Sequence, residues 1–175
     1  KEELGVTMIF VTQVQTEALT FADRGGVMAD VNILQTASPQ EVYEHPAQEF
    51  VGFFIGSPGM NFVDITPGAG DNVYSHHGVA STAQRLGFRP EWAKLVKGAV
   101  APELSKVSWS GTVTLSQVLG TQDGQPVGIT TVMGDAGELK VRGPITGASG
   151  DKVVVVLDRF ISFSNEKYMA SHYDD

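Results

Sequence analysis

Cysteine is absent from this chain of 175 residues, and long apolar runs are absent as well. Without cysteine, disulfides and thiolate metal sites are excluded, and the composition fits the reducing conditions of the cytoplasm. A membrane-spanning helix needs about 20 consecutive apolar residues, and no segment approaches that length. The start, Lys1-Glu2-Glu3, is unlike that of a secretory signal peptide. We expect a cytoplasmic protein without a membrane span of its own.

Positive charge is scarce, because 12 Lys and Arg residues stand against 20 Asp and Glu residues, for a net charge of −8. The deficit is uneven: residues 1–57 hold 2 basic and 8 acidic side chains, whereas residues 58–175 hold 10 and 12. Nucleic acids and anionic membranes attract proteins through basic patches. The charge balance therefore argues against either as a direct partner, and it disfavours a nucleic-acid-binding β-barrel.

A phosphate-binding loop of the form G-x-x-x-x-G-K-[ST] is absent too. In that loop, backbone N–H groups and the lysine hold the β- and γ-phosphates of a nucleotide. We therefore expect that this chain does not bind ATP tightly by itself and carries no cofactor of its own.

The segment 8–24 is the most informative one present. Its apolar run, Met8-Ile9-Phe10-Val11, predicts a buried strand. Thr12 and Gln15 then have the spacing of a capping box, in which Thr12 caps a helix and Gln15 reaches back to the cap N–H. The helical pattern continues through Ala18, Leu19 and Ala22 and ends at Gly25-Gly26. This predicts polar side chains on a strand-to-helix turn, which lies at the ligand-binding edge of α/β sheets.

The remainder of residues 1–57 predicts a hairpin and further helices. The hairpin turns at Ala29-Asp30-Val31-Asn32, where a tight turn requires positive φ and a β-branched residue is strained. Ser38-Pro39-Gln40-Glu41 has the form of a second capping box, with proline at the first helical position. Gly56-Ser57-Pro58-Gly59 then breaks the chain. We place a domain boundary there, with one domain at 1–57 and another at 58–175.

Short β-branched runs separated by glycine-rich turns dominate the residues after Met60. Many short strands with such turns favour a small barrel or sandwich. The predicted strands are 61–65, 73–76, 85–88, 107–118, 126–133, 138–142, 153–158 and 160–164.

Residues 11–24 resemble the switch region of ABC-transporter ATPases that serve carbohydrate importers, whose pattern is V-T-H-D-Q-x-E-A-x-x-x-A-D-R. The matching residues are Val11, Thr12, Gln15, Glu17, Ala18, Ala22, Asp23 and Arg24. The position of the family's switch histidine is occupied by Gln13, and that of the following aspartate by Val14.

The resemblance continues beyond the switch. Gly87-Phe88-Arg89-Pro90-Glu91 resembles the family's G-I-R-P-E motif, and Leu157-Asp158-Arg159-Phe160 loosely resembles its closing strand. Residues 35–62 resemble the connector Q-x-G-x-P-x-E-x-Y-x-x-P-A-x-x-F-V-A-x-F-I-G-S-P-x-M-N-F, with matches that include Pro39, Glu41, Tyr43, Pro46, Phe50, Ile55, Gly56, Met60, Asn61 and Phe62.

The resemblance implies an α+β chain: the C-terminal piece of an α/β nucleotide-binding domain, then an OB-like β-barrel that pairs two ATPase subunits and receives regulatory signals. The implied partners are a second ATPase subunit and membrane permease subunits. The implied location is cytoplasmic, on the inner face of the membrane. ATP and Mg²⁺ belong to the longer parent protein, because the signature motif and the acidic pair are absent here. We expect the last part of a longer protein, or the product of a gene that has lost its front.

Gln13 limits how much of the family's chemistry is expected. The family's histidine contacts the γ-phosphate and the attacking water, whereas a glutamine can donate a hydrogen bond but cannot titrate. We interpret Gln13 as the catalytic position of a degenerate or slow site. A glutamine that positions water and a plain capping residue are the alternatives.

Other polar and aromatic residues have structural interpretations. His76 and His77 are adjacent and would point to opposite faces of a strand, so no metal site is predicted. Arg89 and Glu91 are interpreted as a pair at the barrel edge. Packing is preferred over sugar stacking for Trp92 and Trp109.

Two functions of different classes follow. The first is a part of the ATP-binding subunit of an ABC importer for a sugar, polyol or glycerol phosphate. The alternative is a free-standing β-barrel module that binds a small ligand or a regulator and has no ATPase activity.

Overall fold

The computed structural model describes residues 5–66, 74, 77–98 and 107–173. In this part of the chain the fold is mostly β, and none of the helices is long and apolar enough to cross a bilayer. The helices are α1 at Gln15–Phe21, α2 at Pro39–Glu44 and α3 at Glu49–Phe54, with a 3₁₀ helix at Pro90–Trp92.

The strands form one hairpin and two antiparallel sheets. The hairpin is β1–β2, and the sheets have the orders β11-β10-β4-β3 and β5-β9-β6-β7-β8. Within the described ranges no strand pair is parallel, so the parallel sheet of an α/β domain is not seen. The strands are β1 Gly25–Ala29, β2 Asn32–Ala37, β3 Asn61–Asp64, β4 Arg85–Phe88, β5 Ala93–Lys97, β6 Ser108–Gln122, β7 Gln125–Gly134, β8 Gly137–Pro144, β9 Lys152–Leu157, β10 Arg159–Ser164 and β11 Lys167–Tyr173.

The apolar run before α1 is not a strand here, so that prediction is wrong for this chain. Met8, Ile9, Phe10 and Val11 pair with no sheet and are between 64% and 91% exposed. A strand is stable only when neighbouring strands satisfy its backbone groups, and residues 8–11 pair with neither antiparallel sheet. The prediction from local pattern was sound, but the partners it requires are not supplied.

The first predicted capping box is wrong as well. The residue that precedes α1 is Val14, which makes no side-chain cap. The Thr12 hydroxyl instead accepts a hydrogen bond from the Val14 N–H at 3.0 Å. Helix α1 ends at Phe21, before the predicted glycine stop. The second box is confirmed on one side, since Ser38 Oγ accepts from the Glu41 N–H at 3.3 Å and Pro39 opens α2.

The hairpin prediction is confirmed with its strained residue. The two turn residues between β1 and β2, Asp30 and Val31, have φ of 46° and 66°. Of the strands predicted after Met60, β4 has the predicted bounds and β6 runs four residues further, to Gln122. Two strands, β5 and β11, were not predicted. Each contains lysine and few consecutive apolar residues, so its local signal for a strand is weak. The prediction at 73–76 lies almost wholly outside the described residues.

Buried apolar side chains collect in separate clusters. One is confined to the hairpin and helices, with Val27, Ala37, Val42, Val51 and Ile55. The largest joins the two sheets and includes Leu86, Phe88, Val113, Val132, Val155, Leu157 and Phe160.

Asn61 ties the two sheets together at one edge. Its amide nitrogen donates to the Lys140 carbonyl, and its amide oxygen accepts from the Lys140 N–H, both at 2.8 Å. The side chain thus replaces a backbone partner for β8, and the residue is 8% exposed. Such a two-way bond satisfies both polar groups of Lys140 where no strand continues the sheet.

Candidate functional site

The turn before α1 carries the residue that the sequence singled out, Gln13. Its side chain is exposed in a bend between the apolar run and the helix. The neighbouring Thr12 hydroxyl is engaged on both sides, since it accepts from the Val14 N–H and donates to the Glu17 carboxylate at 3.1 Å. The turn is therefore held by its own side chains.

The turn offers no positive charge to the phosphates of ATP. From Thr12 to Ala22 the sequence has no basic side chain. Proteins hold phosphate groups with backbone N–H groups and with Lys or Arg side chains. No catalytic step is assigned to this turn.

Gln15 does not cap its own helix but reaches the far end of α3. Its side-chain Nε2 donates to the Phe54 carbonyl, and its Oε1 accepts from the Gly56 N–H at 2.9 Å. The amide thus holds the backbone on both sides of Ile55. No local pattern predicts this contact, because the partners of Gln15 are about 40 residues away in the chain.

Arg89 is fully buried and bonded to backbone carbonyls. Its guanidinium donates to the Tyr43 carbonyl at 2.7 and 3.1 Å, to the Gly52 carbonyl at 2.8 Å and to the Ile55 carbonyl. These oxygens belong to the last turns of α2 and α3, where helix dipoles favour a cation. Arg89 therefore caps two helices at once, from the end of β4.

Tyr43 and Glu91 complete this cluster. The guanidinium carbon of Arg89 lies 4.1 Å from the centre of the Tyr43 ring, and the Tyr43 hydroxyl donates to the Glu91 carboxylate. Burial and then the Glu91 hydrogen bond raise the pKa of Tyr43 to about 12. Burial lowers the pKa of Arg89 to about 10, so the guanidinium still carries its charge at neutral pH. The predicted direct pairing of Arg89 with Glu91 is replaced by a link through Tyr43.

Two further arginines from the strands contact the same helices. Arg85 on β4 pairs with Glu49 at 2.6 Å, and Arg159 on β10 pairs with Glu44 at 3.3 Å. We call Arg85, Arg89 and Arg159 the arginine seam. Arg159 also lies 4.1 Å from the centre of the Trp92 ring. The seam fixes α2 and α3 against the strands by charge as well as by packing.

The aromatic residues that could have formed a sugar-binding surface are used for packing. Trp109 stacks on Phe88 with ring centres 6.2 Å apart, and Trp92 lies under Arg159. The ring of His77 meets Phe160 edge-on at 5.7 Å. No group of three metal-ligand side chains occurs among the described residues. His76 lies outside them.

Comparison with curated proteins gives consistent relatives. The chain is 45% identical over 103 residues to the sn-glycerol-3-phosphate import ATP-binding protein of Vibrio cholerae, covering 54% of this chain and 28% of that protein. It is 37% identical over 126 residues to the spermidine/putrescine import ATP-binding protein of Ruegeria pomeroyi (64% and 34%). It is 53% identical over 64 residues to the trehalose/maltose import ATP-binding protein of Thermococcus litoralis (37% and 17%). No protein-family model matches the chain.

The chain is homologous to the ATP-binding subunits of ABC importers. This confirms the resemblance drawn from residues 11–24 and 35–62, and it supports the importer hypothesis rather than the free-standing module. The chain spans less than half the length of these relatives. The activity of a whole ABC-importer subunit therefore requires more residues than these 175.

Proposed function

We propose that this chain works inside a longer ATP-binding subunit of an ABC importer, its parent protein. There it supplies the switch segment and a barrel that pairs subunits and receives regulatory signals. The homology to import ATP-binding proteins carries this proposal. The phosphates and Mg²⁺ would be held by residues of the parent outside this chain, because this chain has no phosphate loop.

The two-domain division at 1–57 and 58–175 is part of the proposal. The separate apolar cluster of the hairpin and helices supports an origin in an α/β nucleotide domain. The cluster that joins the two sheets, with Asn61 bridging one edge, supports an OB-like barrel. Curved antiparallel sheets closed around one core are typical of that architecture.

The proposed partners are a second ATP-binding subunit and membrane permease subunits, which would hold the protein at the inner face of the membrane. The proposed cargo is a sugar, a polyol or glycerol phosphate. Two of the three relatives carry names of that class and one is named for polyamines.

Nucleotide binding tests the proposal that the ATP site lies in residues of the parent outside this chain. In calorimetry the isolated chain is expected to show no ATP binding, because it has no phosphate loop. The parent is expected to bind ATP with Mg²⁺, and Gln13→His is expected to raise its ATPase turnover by restoring a titratable side chain at the switch. Micromolar ATP binding by the isolated chain would contradict the assignment of the nucleotide site to other residues.

Two further outcomes sharpen the test. A parent sequence without a phosphate loop would overturn the ATP-binding function itself. An unchanged turnover in Gln13→His would show that Gln13 is not the lesion, and Gln13→Asn serves as the matched control because it keeps an amide.

A further inference from the structure

Two long-range contacts converge on one short backbone segment, residues 52–56. From α1, the Gln15 side chain holds the Phe54 carbonyl and the Gly56 N–H. From the end of β4, Arg89 holds the carbonyls of Gly52 and Ile55. The two side chains therefore bind neighbouring peptide groups of the same segment.

The segment has little room in which to absorb a movement. Ile55 is 5% exposed, and Arg89 is fully buried. A Cβ placed on Gly56 would lie 3.1 Å from an Arg89 nitrogen and 3.4 Å from the Tyr43 ring, and φ at Gly56 is 116°. Close-packed groups transmit a displacement instead of yielding to it.

We propose that residues 52–56 are a coupling segment through which the switch turn before α1 and the strands of the 58–175 part sense each other's conformation. Gln15 and Arg89 are its two positioning residues. The path runs from the Thr12–Glu17 turn to Gln15, across Ile55 to Arg89, and on to β4. Its use in regulating an importer rests on the function proposed above, but the coupling is a property of this chain alone.

The other two members of the arginine seam join the same parts by a different route. Arg85 pairs with the Glu49 carboxylate, and Arg159 donates to the carboxylate and, at 3.4 Å, to the backbone carbonyl of Glu44. The Arg85 side chain is 40% exposed, so its pair is screened by water. The carboxylates that pair with Arg85, those of Glu49 and Asp64, lie outside residues 52–56, and Arg85 is therefore the matched control for Arg89.

Coupling is reciprocal, so weakening the hydrogen bonds of either Gln15 or Arg89 to residues 52–56 should also weaken those of the other. Lysine at position 89 keeps the charge but cannot span three carbonyls as the planar guanidinium does. Leucine at position 15 removes both hydrogen bonds from an exposed, short helix and leaves Arg89 in place.

The absence of cysteine allows a clean spectroscopic probe of the switch turn. A nitroxide is attached at Gln13→Cys, and its mobility is measured by EPR in the unliganded chain with Arg89→Lys, Arg85→Lys, Gln15→Leu and the double variant Gln15→Leu/Arg89→Lys. In parallel, hydrogen exchange of the Gly56 amide reports the bond to Gln15.

Arg89→Lys is expected to raise nitroxide mobility at position 13 and to lower the protection of the Gly56 amide by about fivefold. Arg85→Lys is expected to change neither. In the double variant the mobility should not exceed that of Gln15→Leu, because the path is already cut. Equal effects of Arg89→Lys and Arg85→Lys, or additive effects of Gln15→Leu and Arg89→Lys, would overturn the proposal.

Should Arg89→Lys fail to fold, the reciprocal measurement decides. In Gln15→Leu, exchange of the Arg89 guanidinium protons, followed by NMR, is expected to accelerate, and an unchanged rate would refute the coupling. Because no nucleotide is used, these results are independent of the ATP-binding test.

Discussion

At the residue scale, Val31 has a backbone conformation that its side chain opposes. It lies in the two-residue turn between β1 and β2 with φ of 66°, and it is 97% exposed. A β-branched residue in the left-handed region loses about 1–2 kcal/mol relative to glycine. Nothing in the structure offsets this loss, since an exposed side chain packs little.

Val31→Gly is therefore expected to stabilise the chain by about 1 kcal/mol, measured as the free energy of unfolding in urea. The control is Val118→Gly, at an exposed position in the extended strand β6, where glycine should cost about 0.5–1 kcal/mol. Destabilisation by Val31→Gly similar to that of the control would show that the turn is not strained.

Single residues also show which contacts a sequence pattern can predict and which it cannot. The strained turn could be predicted, because hairpin chemistry involves four consecutive residues. Arg89 could be noticed only by resemblance, because its acceptors are backbone carbonyls 34 to 46 residues away and no residue type marks a carbonyl. The same holds for Gln15, whose capping-box spacing pointed to the wrong partner.

At the element scale, the close approach of β6 and β7 requires glycine at Gly128. A Cβ on Gly128 would lie 1.8 Å from the carbonyl oxygen of Gln117, which is backbone and cannot move aside. Gly120, on the facing strand, has no atom within 4 Å of a Cβ position. A side chain is therefore excluded at Gly128 but has room at Gly120, although both glycines belong to the same hairpin.

Gly128→Ala is expected to lower the free energy of unfolding by about 2–3 kcal/mol through overpacking. Gly120→Ala should be neutral or slightly stabilising, because alanine restricts the unfolded chain. Chemical denaturation of both variants against the unmodified chain provides the comparison. If both alanines cost the same, the close approach of the two strands at Gly128 is not what requires glycine.

Strand prediction succeeded where the element is local and failed where it needs partners. β4, whose sequence is Arg85-Leu86-Gly87-Phe88, was predicted with its bounds. The run 8–11 has a stronger apolar signal than β4 but remains without a sheet. The apolar pattern of a segment indicates which side chains could be buried. The topology of the fold decides whether a neighbouring strand is available to pair with it.

At the scale of the whole molecule, the uncovered apolar run makes association between copies the expected behaviour. Exposed apolar segments of this kind gain free energy by leaving water. Light scattering at micromolar concentrations should therefore show species larger than a monomer. Ile9→Lys should reduce association, because Ile9 is 91% exposed and the added charge opposes burial.

Val118→Lys is the matched control, since Val118 is an exposed apolar residue of a different segment, strand β6. It should leave association unchanged. A monodisperse monomer for the unmodified chain would contradict the expectation, and loss of association in Val118→Lys alone would place the contact on the β6 edge.

The sequence by itself determined the family, the hairpin with its strained Val31, and most of the strands after Met60. Each of these depends on consecutive residues or on an ordered motif, so local chemistry was enough. Only the tertiary structure decided that the 8–11 run has no sheet, that Gln15 grips the end of α3, and that Arg89 caps two helices. These depend on contacts between residues distant in the chain, and such contacts are set by how the antiparallel sheets and helices pack together.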